Sequence, residues 1–329
     1  RALALDLLRG LLPAGTVSNV GVFASPQALE QLVLRLRAHP LPEARAYAEL
    51  IAPELQREIP EFVSRLDRAD RGGVWVEYLA ETGAALAGQA RRLVATGEPI
   101  PALPKAGPVT LLGWDPDGED RILAGALFPH AELPFDSVAS LVGHLSDEQK
   151  DRIFAAAVGV RRNRRHRPGR GFEHTDYTFE LVSDYGAFRD LQRHRMLTLQ
   201  WQQLTPGLGY AVPDQVIAAG LEAAWRRAVG EAEAVWERVE RDLPQQAQYL
   251  VTLAHRVRYV VKLNAREALH LIELRTSPQG HPSYRAICQE MLHQIDRVAG
   301  HHRVAGAMRF AGSEDVHLPR YVAEAARAE

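Results

Sequence analysis

The chain has 329 residues, of which 46% are hydrophobic and 24% are charged, which is typical of a globular protein with room for two modest cores. This composition excludes intrinsic disorder. Because the chain has 39 basic and 41 acidic residues, its net charge is close to zero, and no net field draws it to nucleic acid or to a membrane surface. Any anion site must therefore be local.

The basic residues are almost all arginines, since only Lys105, Lys150 and Lys262 are lysines. Arginine suits the forked recognition of phosphate or carboxylate. Genome base composition or heat adaptation gives the same bias, and we favour that explanation over a functional one.

The single cysteine, Cys288, excludes an internal disulfide framework and is interpreted as a buried packing residue in a reducing compartment. No apolar run approaches the roughly 18 residues of a membrane span. The first residues also lack a secretion pattern, so we expect a cytoplasmic protein without membrane contact. The start at Arg1 rather than Met indicates a piece of a longer product or a trimmed one.

A stretch rich in proline and glycine, Thr96–Pro108, predicts a linker between a domain at 1–95 and a domain at 109–329. Before it, apolar residues at helical spacing predict helices at Pro26–Ala38 and Glu43–Leu66.

After the linker, strands and helices alternate. We expect strands at Val109–Gly113 and Tyr177–Val182, a helix after Asp117 and another helix through Gln192. Ser146, with Gln149 three residues later, predicts a capped helix start. The mixture predicts an α+β fold.

The longest helix is expected at Pro213–Leu243, ended by Pro244. Its two tryptophans, Trp225 and Trp236, are interpreted as core residues rather than as side chains that stack on a cofactor.

A weak internal repeat aligns Leu12–Pro40 with Leu250–Pro278, with five identities in 29 positions. After a two-residue insertion Arg45 meets Arg285. If this repeat is real, the first copy lacks its front half here.

The densest chemical signal runs from Gly171 to Gln203 and contains GFEHTDYTFELVS followed by LQRHRMLTLQWQQ. Paired guanidinium forks in such a motif can grip a pyrophosphate or a nucleotide phosphate. Equally, the same cations can stabilise a solvated helix end opposite its dipole.

RHR directly after a helix, preceded by FEH and an aromatic strand and followed by LNAREALHLIELR, resembles the signature of flavin-dependent thymidylate synthases, the thymidylate synthase complementing proteins. The resemblance covers essentially all of 109–300, and residues 8–66 resemble the C-terminal half of another copy. It implies that family's α+β fold, as one complete copy plus the C-terminal half of a second copy.

The resemblance also implies site residues and chemistry. The residues implied to contact FAD are His174, Arg193, His194, Arg195, Asn264, Arg266 and His270. Those implied to contact a dUMP-like nucleotide are Arg9, Arg37, Gln203 and Arg275. In that family FAD takes hydride from NADPH, methylenetetrahydrofolate supplies a methylene, and dUMP becomes dTMP, so the cofactor rather than a protein nucleophile does the chemistry.

The chain departs from the family after RHR, where Ser, Asn, Glu, Ser and Arg-Tyr are replaced. The residues here are Thr198, Gln200, Trp201, Gln203 and Thr205-Pro206. Losing the serine, the acid and the arginine leaves a second hypothesis open, a catalytically diverged or inactive homologue that binds flavin or nucleotide or serves assembly. Trp201 either stacks on a ring or, as we favour, fills the emptied pocket.

The first copy shows the complementary pattern, with Pro26 and Ala28 in place of Asn264 and Arg266 but with Arg9 and Arg37 kept. Family sites lie between the subunits of a tetramer. We therefore expect one composite site per chain and a homodimer that forms a pseudo-tetramer.

Other signals are discounted. The run Arg161–Arg170 predicts a mobile loop, solvated rather than lying over a phosphate, and the absence of interleaved aromatic residues argues against nucleic acid. Four histidines lack metal spacing, so no metal site is expected: His281, His293, His301 and His302.

Overall fold

A computed structural model of the chain describes residues 2–97 and 107–312. The described residues form two compact units. One unit takes its residues from Arg1–Ala14, Lys105–Val235 and Leu250–Glu329, and the other from Gly15–Pro104 and Trp236–Tyr249. Residues 98–106 of the expected linker lie outside the described residues. The division into domains at 1–95 and 109–329 stays a prediction.

The first unit contains a four-stranded antiparallel sheet in the order β1–β2–β4–β3. The strands are β1 (Val109–Trp114), β2 (Asp176–Asp184), β3 (Leu197–Trp201) and β4 (Arg256–Asn264). Both central strands alternate buried and half-exposed residues, because side chains point to opposite faces in turn. One face is therefore buried, and the sequence-based strand predictions are confirmed.

Fifteen helices lie in the part of the chain that the structure describes. In chain order they are α1 (Ala2–Leu8), α2 (Pro26–Arg37), α3 (Pro42–Glu58), α4 (Pro60–Val63), α5 (Val74–Ala95), α6 (Gly118–Leu127), α7 (Phe135–Gly143), α8 (Asp147–Val158), α9 (Tyr185–Leu191), α10 (Asp214–Ala218), α11 (Glu222–Asp242), α12 (Pro244–Ala247), α13 (Ala265–Arg275), α14 (Pro282–Arg297) and α15 (His302–Ala307). None of these helices is long and apolar enough to cross a lipid bilayer.

The main core lies between the buried face of the sheet and the helices α6, α13 and α14. Tyr177 and Phe179 of β2 and Val261 of β4 are at most 2% exposed there. Cys288 on α14 is fully buried, as expected, and burial raises the pKa of its thiol to about 12. This arrangement of helices on an antiparallel sheet confirms the α+β class.

Two long helices expected from the sequence are each divided, and the reason is local in both cases. Glu43–Leu66 breaks at Ile59, whose φ of −139° is not helical, because a residue that precedes a proline, here Pro60, is disfavoured in the helical region. Pro213–Leu243 breaks at Gly220, whose φ of +70° lies in the left-handed region that ends helices. Trp225 is 3% exposed, so its prediction as a core residue is confirmed.

The two segments aligned as a repeat correspond in their helices. α2 and α13 end at the aligned residues Arg37 and Arg275, and α3 and α14 begin at Pro42 and Pro282. The segment before α2 forms no strand, whereas β4 precedes α13. The tandem repeat therefore stays a prediction.

The segments that precede these elements pair with each other. In the first unit Ala14 N donates to Val251 O at 2.8 Å, and Leu253 N donates to Leu12 O at 2.9 Å. A β-bridge joins Pro13 and Thr252 between these two hydrogen bonds.

A buried histidine joins the sheet to the loop after β1. His301 is 2% exposed. Its Nδ1 accepts from the Tyr177 hydroxyl at 2.7 Å, and its Nε2 donates to the Asp115 carbonyl at 3.0 Å. Burial lowers the pKa of His301, although the nearby carboxylate of Glu119 opposes the shift. The imidazole is therefore held neutral in the folded protein.

We expect His301→Gln to reduce the acid sensitivity of folding. A folded-state pKa below the unfolded value of about 6.5 gives stability that is present above that pH and is lost as the pH falls. One such histidine changes the free energy of unfolding by at most about 1.4 kcal/mol per pH unit. Denaturant unfolding between pH 7.5 and pH 5 measures the slope, with the exposed His130→Gln as control. Equal slopes in wild type and His301→Gln would contradict this account.

Candidate functional site

A pocket of about 250 Å³ lies in the first unit, between the turn that precedes β3 and one face of α13. Its walls are Arg167, Arg193, His194, Arg195, Met196, Glu267, His270, Leu274 and Arg275. The RHR motif supplies one wall because it forms the turn between α9 and β3. Glu267, His270 and Leu274 share one face of α13 because they are three and four residues apart.

The N-terminus of α13 is fixed by its cap. The side-chain oxygen of Asn264 accepts from the backbone N–H of Glu267 at 2.9 Å. Such caps contribute about 1 kcal/mol. Asn264 therefore places the first turn of the helix, and with it the carboxylate of Glu267.

His194 lies at the centre of a hydrogen-bonded network. Arg275 Nε donates to His194 Nε2 at 3.1 Å, so the ring proton lies on Nδ1, which donates to Glu267 at 3.0 Å. Arg275 also donates to the carbonyl of Asp190 at 2.6 Å. Because His194 and Glu267 are both buried, this network fixes the orientation of the Arg275 guanidinium at the pocket wall.

His270 receives a hydrogen bond from an arginine of the loop that precedes β2. Arg167 Nη2 donates to His270 Nε2 at 3.2 Å. Burial first, and then the positive charge of Arg167, lower the pKa of His270. The imidazole is therefore neutral at physiological pH and acts as an acceptor.

His194, Glu267 and His270 bring three potential metal-ligand atoms within 4.8 Å of one another. The Nε2 atoms of both histidines already accept from guanidinium groups of Arg275 and Arg167. Four arginines border the same pocket. These contacts favour an anion over a cation.

The positive charge of the pocket is only partly balanced. Arg193 and Arg275 share the carboxylate of Asp190, at 3.4 Å and 3.5 Å, and Glu267 is the acidic residue in the pocket wall. Arg193 and Arg195 are exposed to solvent. Guanidinium groups so placed can form charge-assisted hydrogen bonds to phosphate oxygens.

The structure brings five of the expected site residues into this pocket wall: Arg193, His194, Arg195, His270 and Arg275. Other expected site residues lie outside this pocket wall. Of the expected flavin contacts, His174 stacks on Phe135 with ring centroids 5.3 Å apart, and Arg266 donates to the Pro168 carbonyl and to Glu173. Gln203, an expected nucleotide contact, is exposed beyond β3.

The two expected residues of the first copy are held by local acids. Arg9 pairs with Asp6 at 2.6 Å. Arg37, in the second unit, pairs with Glu49 and Asp67, both at 2.9 Å. The composite site that would combine them with the RHR motif stays a prediction.

Two sequence-based expectations are wrong. Trp201 does not fill the pocket, since it is 58% exposed at the end of β3 and contacts Phe188. The run Arg161–Arg170 is not simply a solvated loop, because Arg161 is 2% exposed and forms a buried ion pair with Glu273.

Four residues of the pocket wall were not expected from the sequence: Arg167, Met196, Glu267 and Leu274. Helical spacing from His270 could have indicated Glu267 and Leu274. For Arg167 no signal distinguishes it from the other arginines of its loop.

Comparison with known proteins agrees with this fold. The model of the thymidylate synthase complementing protein family matches residues 129–300. A UPF0159 protein of Chlamydia muridarum is 35% identical over 99% of this chain and 61% of its own length. The chain spans 55% to 62% of the length of the curated relatives that it matches.

Solved structures also resemble this chain. A UMP/dUMP methylase from Streptomyces cacaoi, bound with 5-Br dUMP, has a TM-score of 0.50 and 17% identity, covering 62% of this chain and 95% of its own. A flavin-dependent thymidylate synthase from Helicobacter pylori, complexed with FAD and dUMP, has a TM-score of 0.44 and 16% identity, covering 60% and 97%. The methylase establishes likeness of fold alone.

We expect inorganic pyrophosphate to bind the pocket and Arg193→Ala/Arg195→Ala to weaken that binding about tenfold or more, because each lost charge-assisted hydrogen bond costs about 1.5–3 kcal/mol. Titration calorimetry at low salt measures the change. Arg189→Ala removes an exposed arginine near the motif but outside the pocket wall, and it should bind like wild type. Equal affinity in all three proteins would exclude an anion site at the RHR motif.

Proposed function

The chain belongs to the thymidylate synthase complementing protein family, and from this premise we propose that its pocket binds the phosphates of FAD and of a dUMP-like nucleotide. The proposed reaction is the reductive methylation of dUMP to dTMP, with methylenetetrahydrofolate and NADPH as co-substrates. The observation that carries the proposal is the set of four arginines and a neutral histidine around one pocket.

The residues present fit the phosphate groups of such ligands. The guanidinium donors match phosphate oxygens, and the neutral His270 adds no further charge. The pocket volume of about 250 Å³ is below the usual range of about 300–1,000 Å³ for small-molecule sites. We therefore place phosphate groups here and the rings of the ligands on surface beyond the pocket.

When bound, FAD supplies the hydride chemistry, and the protein supplies placement. In this proposal Arg275, oriented by His194 and the Asp190 carbonyl, binds the nucleotide phosphate. Arg193 and Arg195 extend from the turn before β3 and bind the flavin diphosphate. A homodimer of this chain is proposed to complete the site, as a pseudo-tetramer.

A second candidate is a homologue that binds flavin or nucleotide without catalysis. Trp201 and Gln203 replace the acid and the second serine of the family pattern, and Pro206 follows in place of tyrosine. Trp201 is exposed and contacts Phe188 rather than the pocket wall. A misplaced reactant can cost on the order of a hundredfold in rate, so binding without turnover is a distinct outcome.

We expect the purified protein to bind FAD and to change its visible absorbance when dUMP is added. The flavin-loaded protein should form dTMP from dUMP only with NADPH and methylenetetrahydrofolate, as measured by chromatography. His270→Ala should lose most of the bound FAD while keeping its circular dichroism spectrum, and Arg189→Ala should keep both.

The outcomes separate the two candidates. Bound flavin with a dUMP-dependent change but no dTMP would support the non-catalytic homologue. A folded protein that binds neither FAD nor dUMP would contradict both.

A further inference from the structure

The loop from Arg161 to Arg170 is anchored to α13. Arg161 Nη1 and Nη2 donate to the two carboxylate oxygens of Glu273 at 2.8 Å and 2.5 Å. Both side chains are 1% exposed. Arg161 also donates to the Ala307 carbonyl at 2.7 Å, and its guanidinium lies 5.1 Å from the centre of the Phe310 ring. Every one of these contacts is inside the first unit.

Arg167 lies between two backbone carbonyls that are both held by arginines. The carbonyl of His166, the preceding residue, accepts from Arg161 Nε at 2.5 Å. The carbonyl of Pro168, the following residue, accepts from Arg266 Nε at 2.9 Å. Arg266 lies in the first turn of α13, and Glu273, the partner of Arg161, lies near its end. The backbone around Arg167 is therefore tied to both ends of one helix.

The side chain of Arg167 then reaches the middle of the same helix. Its Nη2 donates to His270 Nε2, and it forms part of the pocket wall together with the RHR motif. The guanidinium is not engaged by a carboxylate within ion-pair distance among the described residues. Its remaining N–H groups can therefore donate to a bound anion.

We propose that Arg167 binds the phosphate of the pocket's ligand together with the arginines of the RHR motif, and that Arg161 and Arg266 are positioning residues that hold it in the pocket wall. This inference rests on the proposed function, since it assigns a further residue to the same anion site. Arg266 thereby acts through the loop, by its contact with Pro168, rather than by direct contact with flavin.

Binding of inorganic pyrophosphate tests the role of Arg167. Arg167→Gln should bind pyrophosphate about tenfold more weakly than wild type, because one charge-assisted contact is lost. Arg165→Gln removes the same charge two residues earlier, from an exposed side chain outside the pocket wall, and should bind like wild type.

If Arg165→Gln and Arg167→Gln weaken pyrophosphate binding equally, the loss comes from the change in net charge alone, and this result would overturn the inference. Unchanged binding by Arg167→Gln, with wild type binding well, would also overturn it while leaving the proposed function intact. Failure of wild type to bind pyrophosphate would overturn both.

Titration of His270, followed by NMR of its ring protons, tests the positioning residues. The charged groups around this ring are Arg164 and Arg167 from the loop, His194 and the arginines of the RHR motif, and Glu267 and Arg275 from α13. Arg167 lowers the pKa of His270, so Arg167→Gln should raise it. Arg161→Lys, which keeps the charge but loses the fork, should raise it too, because Arg167 moves away from the ring.

Arg161→Lys places an ammonium group in a buried site shaped for a guanidinium, and this can destabilise the fold. Arg266→Lys therefore provides a second test at a partly exposed side chain. It removes the Nε contact to Pro168 and should raise the pKa of His270 in a fully folded protein. A pKa of His270 that rises in Arg167→Gln but not in folded Arg161→Lys or Arg266→Lys would refute the positioning role.

Discussion

The buried ion pair between Arg161 and Glu273 is the interaction on which the pocket depends. Removing one partner of such a pair costs about 3–5 kcal/mol, whereas a well-packed apolar pair can be equally stable. The ion pair therefore adds little net stability compared with an apolar pair, and what it supplies is a fixed geometry. Glu273 lies one helical turn beyond His270, so the pair fixes the loop to the helix that also carries the pocket wall. Loop and helix are one unit because of this contact.

Positive charge accumulates around the pocket. The loop, the RHR turn and the end of α13 each place a guanidinium at one pocket, and like charges repel more strongly where water is partly excluded. The structure limits this repulsion in two ways. Asp190 is shared between Arg193 and Arg275, and burial keeps His270 neutral. A bound phosphate would complete the compensation, and so the charge pattern is that of a site preorganised for an anion.

Much of this arrangement could be predicted from the sequence. The alternation in β2 and the motif after α9 were sufficient to place a strand and several pocket residues, because period and motif are local properties. The anchoring of the Arg161–Arg170 loop was not predictable, because composition does not indicate which of its arginines pairs with a buried carboxylate more than a hundred residues away. The helix breaks at Pro60 and Gly220 are different, because proline and glycine announce them locally.

The paired segments before α2 and before β4 bear on the expected repeat. In the alignment Pro13 corresponds to Val251 and Ala14 to Thr252. Ala14 bonds to Val251, and Pro13 bridges to Thr252, so each residue pairs with the counterpart of its neighbour. Reciprocal pairing of this kind is typical of a two-fold contact between two copies of one segment. If the two segments are copies of one ancestor, the chain makes within itself a contact that two single copies would make between subunits. The pairing is compatible with the hypothesis of tandem copies, which stays a prediction.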